Sequence, residues 1–159
     1  TDYKSTKTPF GRDIVREFVD AFRAEGIRIG FYYSLIDWWR DDCPRGRTGL
    51  GTGRPGTGID YPHYYQFMKD QLQELLTNYG KVGAIWFDGV WDQDQHPDFD
   101  WHLRGLYDHI HALQPQCLVG NNHHLSVMEG EDIQIFERDL PRVSLVRTYP
   151  ASRSRPARR

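Results

Sequence analysis

Three amphipathic helical patterns, each followed by a short β-rich apolar run, constrain this chain more than any other feature. In GRDIVREFVDAFRAEG, residues 11–26, the apolar Ile14, Val15, Phe18, Val19 and Phe22 fall on one helical face, and Gly26 ends the pattern. IRIGFYYS follows as a strand, then a long glycine-rich loop. YPHYYQFMKDQLQELLTNYG is a second helix with Tyr65, Met68, Leu72, Leu75 and Leu76 on its apolar face, and it closes at Gly80. VGAIWFD, residues 82–88, is the next strand. FDWHLRGLYDHIHALQP then presents Leu103, Leu106, Tyr107, Ile110 and Leu113 before Pro115, and CLVGN and DIQIFE supply two last strands. Helix and strand alternating through short joints require parallel strands with helical crossovers, hence an α/β fold of the barrel or doubly wound kind.

In both architectures ligands gather at the carboxyl ends of the strands. The polar residues of this chain collect there: Tyr33-Ser34, Asp88, Asn121-Asn122-His123 and Glu137. Asp88 alone is either an N-cap for the next segment or a catalytic group. Its convergence with the other strand ends favours a site. Two carboxylates, Asp88 and Glu137, sit among Trp38, Trp39, Trp86 and Trp91. Retaining glycoside hydrolysis uses such a pair about 5 Å apart, and aromatic walls suit the apolar faces of sugars. Trp86, two residues before Asp88 on one strand, shares its face.

Other readings weigh less. A formal net charge of -2 over 159 residues does not point to nucleic acid. Cys43 and Cys117 are far apart, so neither a disulfide framework nor a structural zinc site is indicated. No run reaches the length of a membrane span. GTGRPG, residues 51–56, fits a dinucleotide fingerprint by letter but stands far beyond its strand and carries a proline, so a rim loop is expected. Asp92, Asp94, Asp98 and Asp100 have calcium-like spacing without the glycine and closing glutamate of a calcium loop. His109 and His111 diverge on their helix, which argues against zinc there. Residues 142–159 hold six arginines, two prolines and no acid, a composition that cannot bury a core.

Three stretches carry a family resemblance: TDYKSTKTPFGRDIVREFVDAFRAEGIRIGFYYSLIDW, QLQELLTNYGKVGAIWFDG and GEDIQIFERDLP. They resemble the α-L-fucosidases of glycoside hydrolase family 29, especially bacterial ones. The resemblance implies a (β/α)8-like barrel, here a partial one of about four βα units, and retaining hydrolysis of terminal α-L-fucose without cofactor or metal. It implies Asp88 as nucleophile, with Trp86 lining the sugar pocket and Tyr33 as a fucose contact; Trp38 is expected as a further substrate contact from the aromatic-wall reading alone. His123 stands where many members have an arginine and is expected as a hydrogen-bond donor to the sugar or to a carboxylate. Glu137 is implied as acid/base, with Glu129 and Glu131 as alternates. The family's histidine-bearing first and second strands are absent. The expectation is therefore a truncated catalytic barrel domain over residues 1–141 with an arginine-rich tail over 142–159. Identical chains are expected to associate over the open barrel edges, with a fucosylated glycan or aryl fucoside as substrate and neither nucleic acid nor membrane as partner. The competing expectation is an inactive carbohydrate-binding or structural fragment.

Overall fold

The computed structural model describes residues 4–49 and 60–137, so the glycine-rich 51–56 segment and the arginine-rich tail lie outside the described residues. Four strands form one parallel sheet in sequence order: β1 (Gly30–Ser34), β2 (Ala84–Asp88), β3 (Leu118–Asn121) and β4 (Ile133–Gln134). Helices α1 (Ile14–Ala24), α2 (Tyr61–Asn78) and α3 (Leu103–Leu113) precede β1, β2 and β3. This is the parallel α/β arrangement expected of the pattern, and it fits the partial barrel that the family resemblance implies.

Local chemistry sets the boundaries. Asp13 accepts the Arg16 N–H at 2.9 Å and starts α1, and Asp60 does the same for His63 at 3.2 Å, with Pro62 in the first turn of α2. Gly80, at φ +72°, turns the chain after α2, a left-handed conformation that a side chain would strain. Buried Gln114, just past α3, accepts from the Val82 N–H and donates to the carbonyls of Leu76 and Gly80. It thereby satisfies backbone groups of the α2–β2 joint that water does not reach.

Alternate strand residues face opposite ways. Tyr33, Ile85, Phe87 and Val119 pack with Tyr64, Met68, Leu72, Leu106, Tyr107 and Ile110 in the main core between sheet and helices. Truncating a fully buried member such as Leu72 to alanine is expected to cost about 2–5 kcal/mol. On the other face Tyr32, Trp86, Leu118 and Ile133 are exposed.

Two helical faces differ from their sequence patterns. On α2 the buried set is Tyr64, Met68, Leu72 and Leu76, a strict four-residue spacing, while Tyr65 is only partly buried and donates its hydroxyl to the His102 carbonyl. On α1 only Val19 is fully buried, and Ile14, Phe18 and Phe22 remain exposed because no described element packs over them. β4 is shorter than DIQIFE suggested. It has one neighbour, and only two of its residues pair with β3.

Candidate active site

The register of the sheet sets Ser34 opposite Asp88 and Tyr32 opposite Trp86. Tyr32, Ser34, Trp86 and Asp88 therefore share the face turned away from the helices. The Tyr32 hydroxyl donates to Asp88 Oδ2 at 2.8 Å, and its ring meets Trp86 edge to face at 5.8 Å between centroids. Asp88 Oδ1 accepts from the Gly89 N–H at 2.7 Å, from Trp91 Nε1 at 3.0 Å and, more distantly, from Asn122 Nδ2 at 3.4 Å. One carboxylate oxygen is thus held by three N–H donors. The other accepts a single O–H and keeps lone-pair capacity directed at the open face.

Gly89 makes this arrangement possible. It adopts φ +107°, and a Cβ there would lie 2.9 Å from Ile36 Cγ1, so the chain reverses tightly after Asp88 and returns Trp91 to it. Partial desolvation, the hydrogen bond to Asp88 and the charges of Asp88 and Glu137 push the Tyr32 phenol up to about 12, although the residue as a whole is exposed. Tyr32 consequently remains a donor at neutral pH. Glu137 is exposed, follows β4 by three residues and contributes the smallest of these influences on Tyr32.

The remaining residues singled out in the sequence are distributed differently. Tyr33 points into the helix layer, where its hydroxyl donates to Gln71 Oε1 at 2.7 Å; Tyr32 is the tyrosine that reaches Asp88. His123 is also turned inward. Its Nδ1 accepts the Leu125 N–H at 2.9 Å, so the ring proton is on Nε2, which donates to Glu131 Oε1 at 2.8 Å. Glu131 accepts further bonds from the Tyr107 hydroxyl and the Met128 N–H, and its side chain is 0% exposed. Both oxygens of Glu131 are therefore committed to holding the loop after β3. Glu129 is 86% exposed and pairs with Arg104. Neither alternate glutamate is hydrogen-bonded to Asp88 or its donors.

Trp38, exposed on the loop after β1, lines a cleft of about 610 Å³ together with Tyr32, Ser34, Trp39 and Trp91. A separate cavity of about 490 Å³ at the N-terminus of α3, walled by Trp101, His102 and Arg104, includes neither Asp88 nor Tyr32. Asp92 is buried against the backbone of the 46–48 loop, and Asp94 pairs with Arg47 at 2.8 Å. Among the described residues no cluster of three or more His, Cys, Asp or Glu side chains could hold a metal ion, and no helix is long and apolar enough to cross a membrane.

Sequence reasoning passed over Tyr32, Trp91 and Asn122 as partners of Asp88. The signal for Tyr32 was present: aligning GFYYS with AIWFD end to end places Ser34 beside Asp88, and alternation then puts Tyr32, not Tyr33, on the carboxylate's face. Trp91 and Asn122 reach Asp88 through loop conformations that no periodicity encodes.

Comparison with known proteins gives a consistent picture. The family model described as alpha-L-fucosidase matches residues 1–154. Alpha-L-fucosidase isoenzyme 1 from Paenibacillus thiaminolyticus is similar in structure, with a TM-score of 0.67 and 39% identity, over 82% of this chain and 32% of that one. A bacterial fucosidase solved with a phenyl-triazole pyrrolidine inhibitor has a TM-score of 0.61 and 30% identity, over 76% of this chain and 26% of its own. Alpha-L-fucosidase 1 from Arabidopsis thaliana is 31% identical over 122 residues, 75% of this chain and 21% of the relative. The chain thus spans about a fifth of the length of the curated relatives it matches.

Proposed function

The chain belongs to the alpha-L-fucosidase family, and from that premise we propose that it acts in retaining hydrolysis of terminal α-L-fucosides with Asp88 as nucleophile. Asp88 Oδ2 attacks the anomeric carbon while Glu137 gives its proton to the departing glycosidic oxygen. The product is a fucosyl ester in which Oδ1 becomes the carbonyl oxygen and keeps the donors from Gly89, Trp91 and Asn122. Glu137, now a carboxylate, takes a proton from water as that water attacks the anomeric carbon. Fucose leaves, Asp88 regains its charge and Glu137 its proton. Trp86 supplies an apolar wall on the nucleophile's own face.

The observation that carries this reading is the asymmetric set of donors on Asp88. The caps Asp13 and Asp60 each accept one backbone N–H from the first turn of their helix, whereas Asp88 gathers three N–H donors on Oδ1, two of them side chains from separate loops, and Oδ2 lies on the open side of the sheet with only the Tyr32 hydroxyl on it. The exposed apolar residues of that face, Tyr32, Trp86, Leu118 and Ile133, also support association of this chain with a second copy of itself.

One experiment tests both points. Release of 4-nitrophenol from 4-nitrophenyl α-L-fucoside is measured across size-exclusion fractions, with Asp88→Ala purified in parallel. Turnover that follows the protein peak and vanishes in the variant supports the nucleophile, and the fraction that carries it identifies the competent assembly. A folded chain without turnover in any fraction reduces the site to sugar binding.

A further inference from the structure

Asp92 is a carboxylate with 0% exposure, four residues past Asp88, and every described hydrogen bond of its side chain goes to one neighbouring loop. Oδ1 accepts the Thr48 N–H and the Thr48 hydroxyl, each at 2.7 Å, and Oδ2 accepts the Gly46 N–H at 3.1 Å. Its carbonyl accepts the Arg47 N–H at 2.8 Å. Burying a carboxylate costs several kcal/mol before its donors offset it. The sheet gains nothing from this investment, since none of these partners is on a strand.

The outcome lies one bond further on. Thr48 Oγ1, which donates to Asp92, accepts the Trp38 indole N–H at 3.0 Å. Two glycines permit the close approach: a Cβ on Gly46 would lie 1.9 Å from the Asp92 carbonyl oxygen, and one on Gly49 would lie 2.9 Å from Trp38 Cδ1. Trp38 is nevertheless 50% exposed, Trp39 66% and Trp91 39%. The indole N–H groups of Trp38 and Trp91 are both turned to protein acceptors, Thr48 and Asp88, so what these rings offer the cleft is aromatic surface. That surface is complementary to the C–H face of a pyranose. The cleft is also walled by Tyr32, the donor to Asp88, and by Ser34, the register partner of Asp88, while Tyr33, Tyr64, Phe67 and Gln71 close its helix side and Asp88 itself lies outside its walls.

We propose that this cleft is the subsite for the sugar ring to which the reacting fucose is attached. Trp38, Trp39 and Trp91 are its stacking surface, and Asp92, acting through Thr48, is the positioning residue for Trp38. The proposal rests on the fucosidase reading and specifies what that site accepts: a pyranose leaving group, in preference to a small one.

The test compares two substrates that share the fucosyl group, α-L-fucosyl fluoride, which has no leaving-group ring, and a fucosyl-N-acetylglucosamine disaccharide. Thr48→Val removes the relay to Trp38 while leaving Asp92 in place, Thr48→Ser restores it, and Trp39→Ala removes stacking area. Thr48→Val and Trp39→Ala are expected to lower kcat/KM for the disaccharide about tenfold more than for the fluoride, roughly the effect of one good contact, with Thr48→Ser close to wild type. Equal losses on both substrates would overturn the subsite. If the wild-type chain turns over neither substrate, the fucosidase reading falls instead. Tryptophan fluorescence titrated with N-acetylglucosamine then decides the platform alone: a quench that Trp39→Ala abolishes sustains it, and no quench overturns it.

Discussion

Asp88 and Asp92 are the same residue type, four positions apart at one end of β2, yet the fold uses them in opposite ways. Asp88 keeps one oxygen toward the open face of the sheet, supported by a phenol, while its other oxygen is fixed by N–H donors. Asp92 is fully buried, with both oxygens and its carbonyl engaged by the 46–48 loop. A carboxylate that reacts must retain an uncommitted lone pair in reach of substrate, whereas one that organises a loop must commit all it can, because each unmet group in the interior is costly. Glu131, clamped by His123, Tyr107 and Met128, belongs with Asp92. Identity of side chain therefore says little about role; the destination of its lone pairs says most.

This contrast can be broken at several points. Replacing Asp88 with alanine should lower kcat on 4-nitrophenyl α-L-fucoside on the order of 10⁴-fold, about 5.5 kcal/mol of transition-state stabilisation. The same variant should melt within a few degrees of wild type by circular dichroism. A variant that unfolds would move Asp88 into the structural class. Asp92→Ala should show the reverse profile, losing about 3 kcal/mol in urea unfolding because three donors are left without their acceptor. Unchanged stability would mean that water replaces the carboxylate. His123→Ala, which strips one donor from buried Glu131, should cost about 2 kcal/mol by the same measurement.

Tyr32→Phe sharpens the comparison at the proposed nucleophile. Loss of its donated bond to Asp88 Oδ2 should change kcat about tenfold, near the worth of one hydrogen bond to a charged group. It has a pH signature as well. The folded state holds the Tyr32 proton up to about 12, above the ordinary phenol value near 10. Its contribution to stability is therefore complete below about pH 10 and drains away as pH rises through 12. Thermal denaturation from pH 9 to 12 should accordingly show wild type losing more stability than Tyr32→Phe over that window. Parallel curves would remove the coupling between Tyr32 and Asp88.

Much of the architecture was legible in the sequence. The three helices, the four strands and their order follow from apolar spacing, Asp88 was marked by its place at a strand end, and Trp86 was assigned to its face by alternation alone. The stretches resembling family 29 pointed to the family that the comparisons then identified. The choice of Tyr32 over Tyr33 was nearly legible, because it needed only the register between two strands. Other features were not. Nothing local shows that His123 turns inward to Glu131, that Asp92 holds Trp38 through Thr48, or that the apolar stripe of α1 is left exposed.

The division has a physical reason. Periods of 3.6 and 2 are properties of neighbouring residues, so a chain carries its helices, its strands and the parity of each face in its own order. Which loop comes back to a given carboxylate depends on backbone turns such as Gly89 at φ +107° and on partners tens of positions away, as with Asp92 and Gly46. The sequence by itself determined a parallel α/β segment with a carboxylate at the carboxyl end of β2. Only the tertiary structure decided which lone pairs of which carboxylates remain available to a substrate.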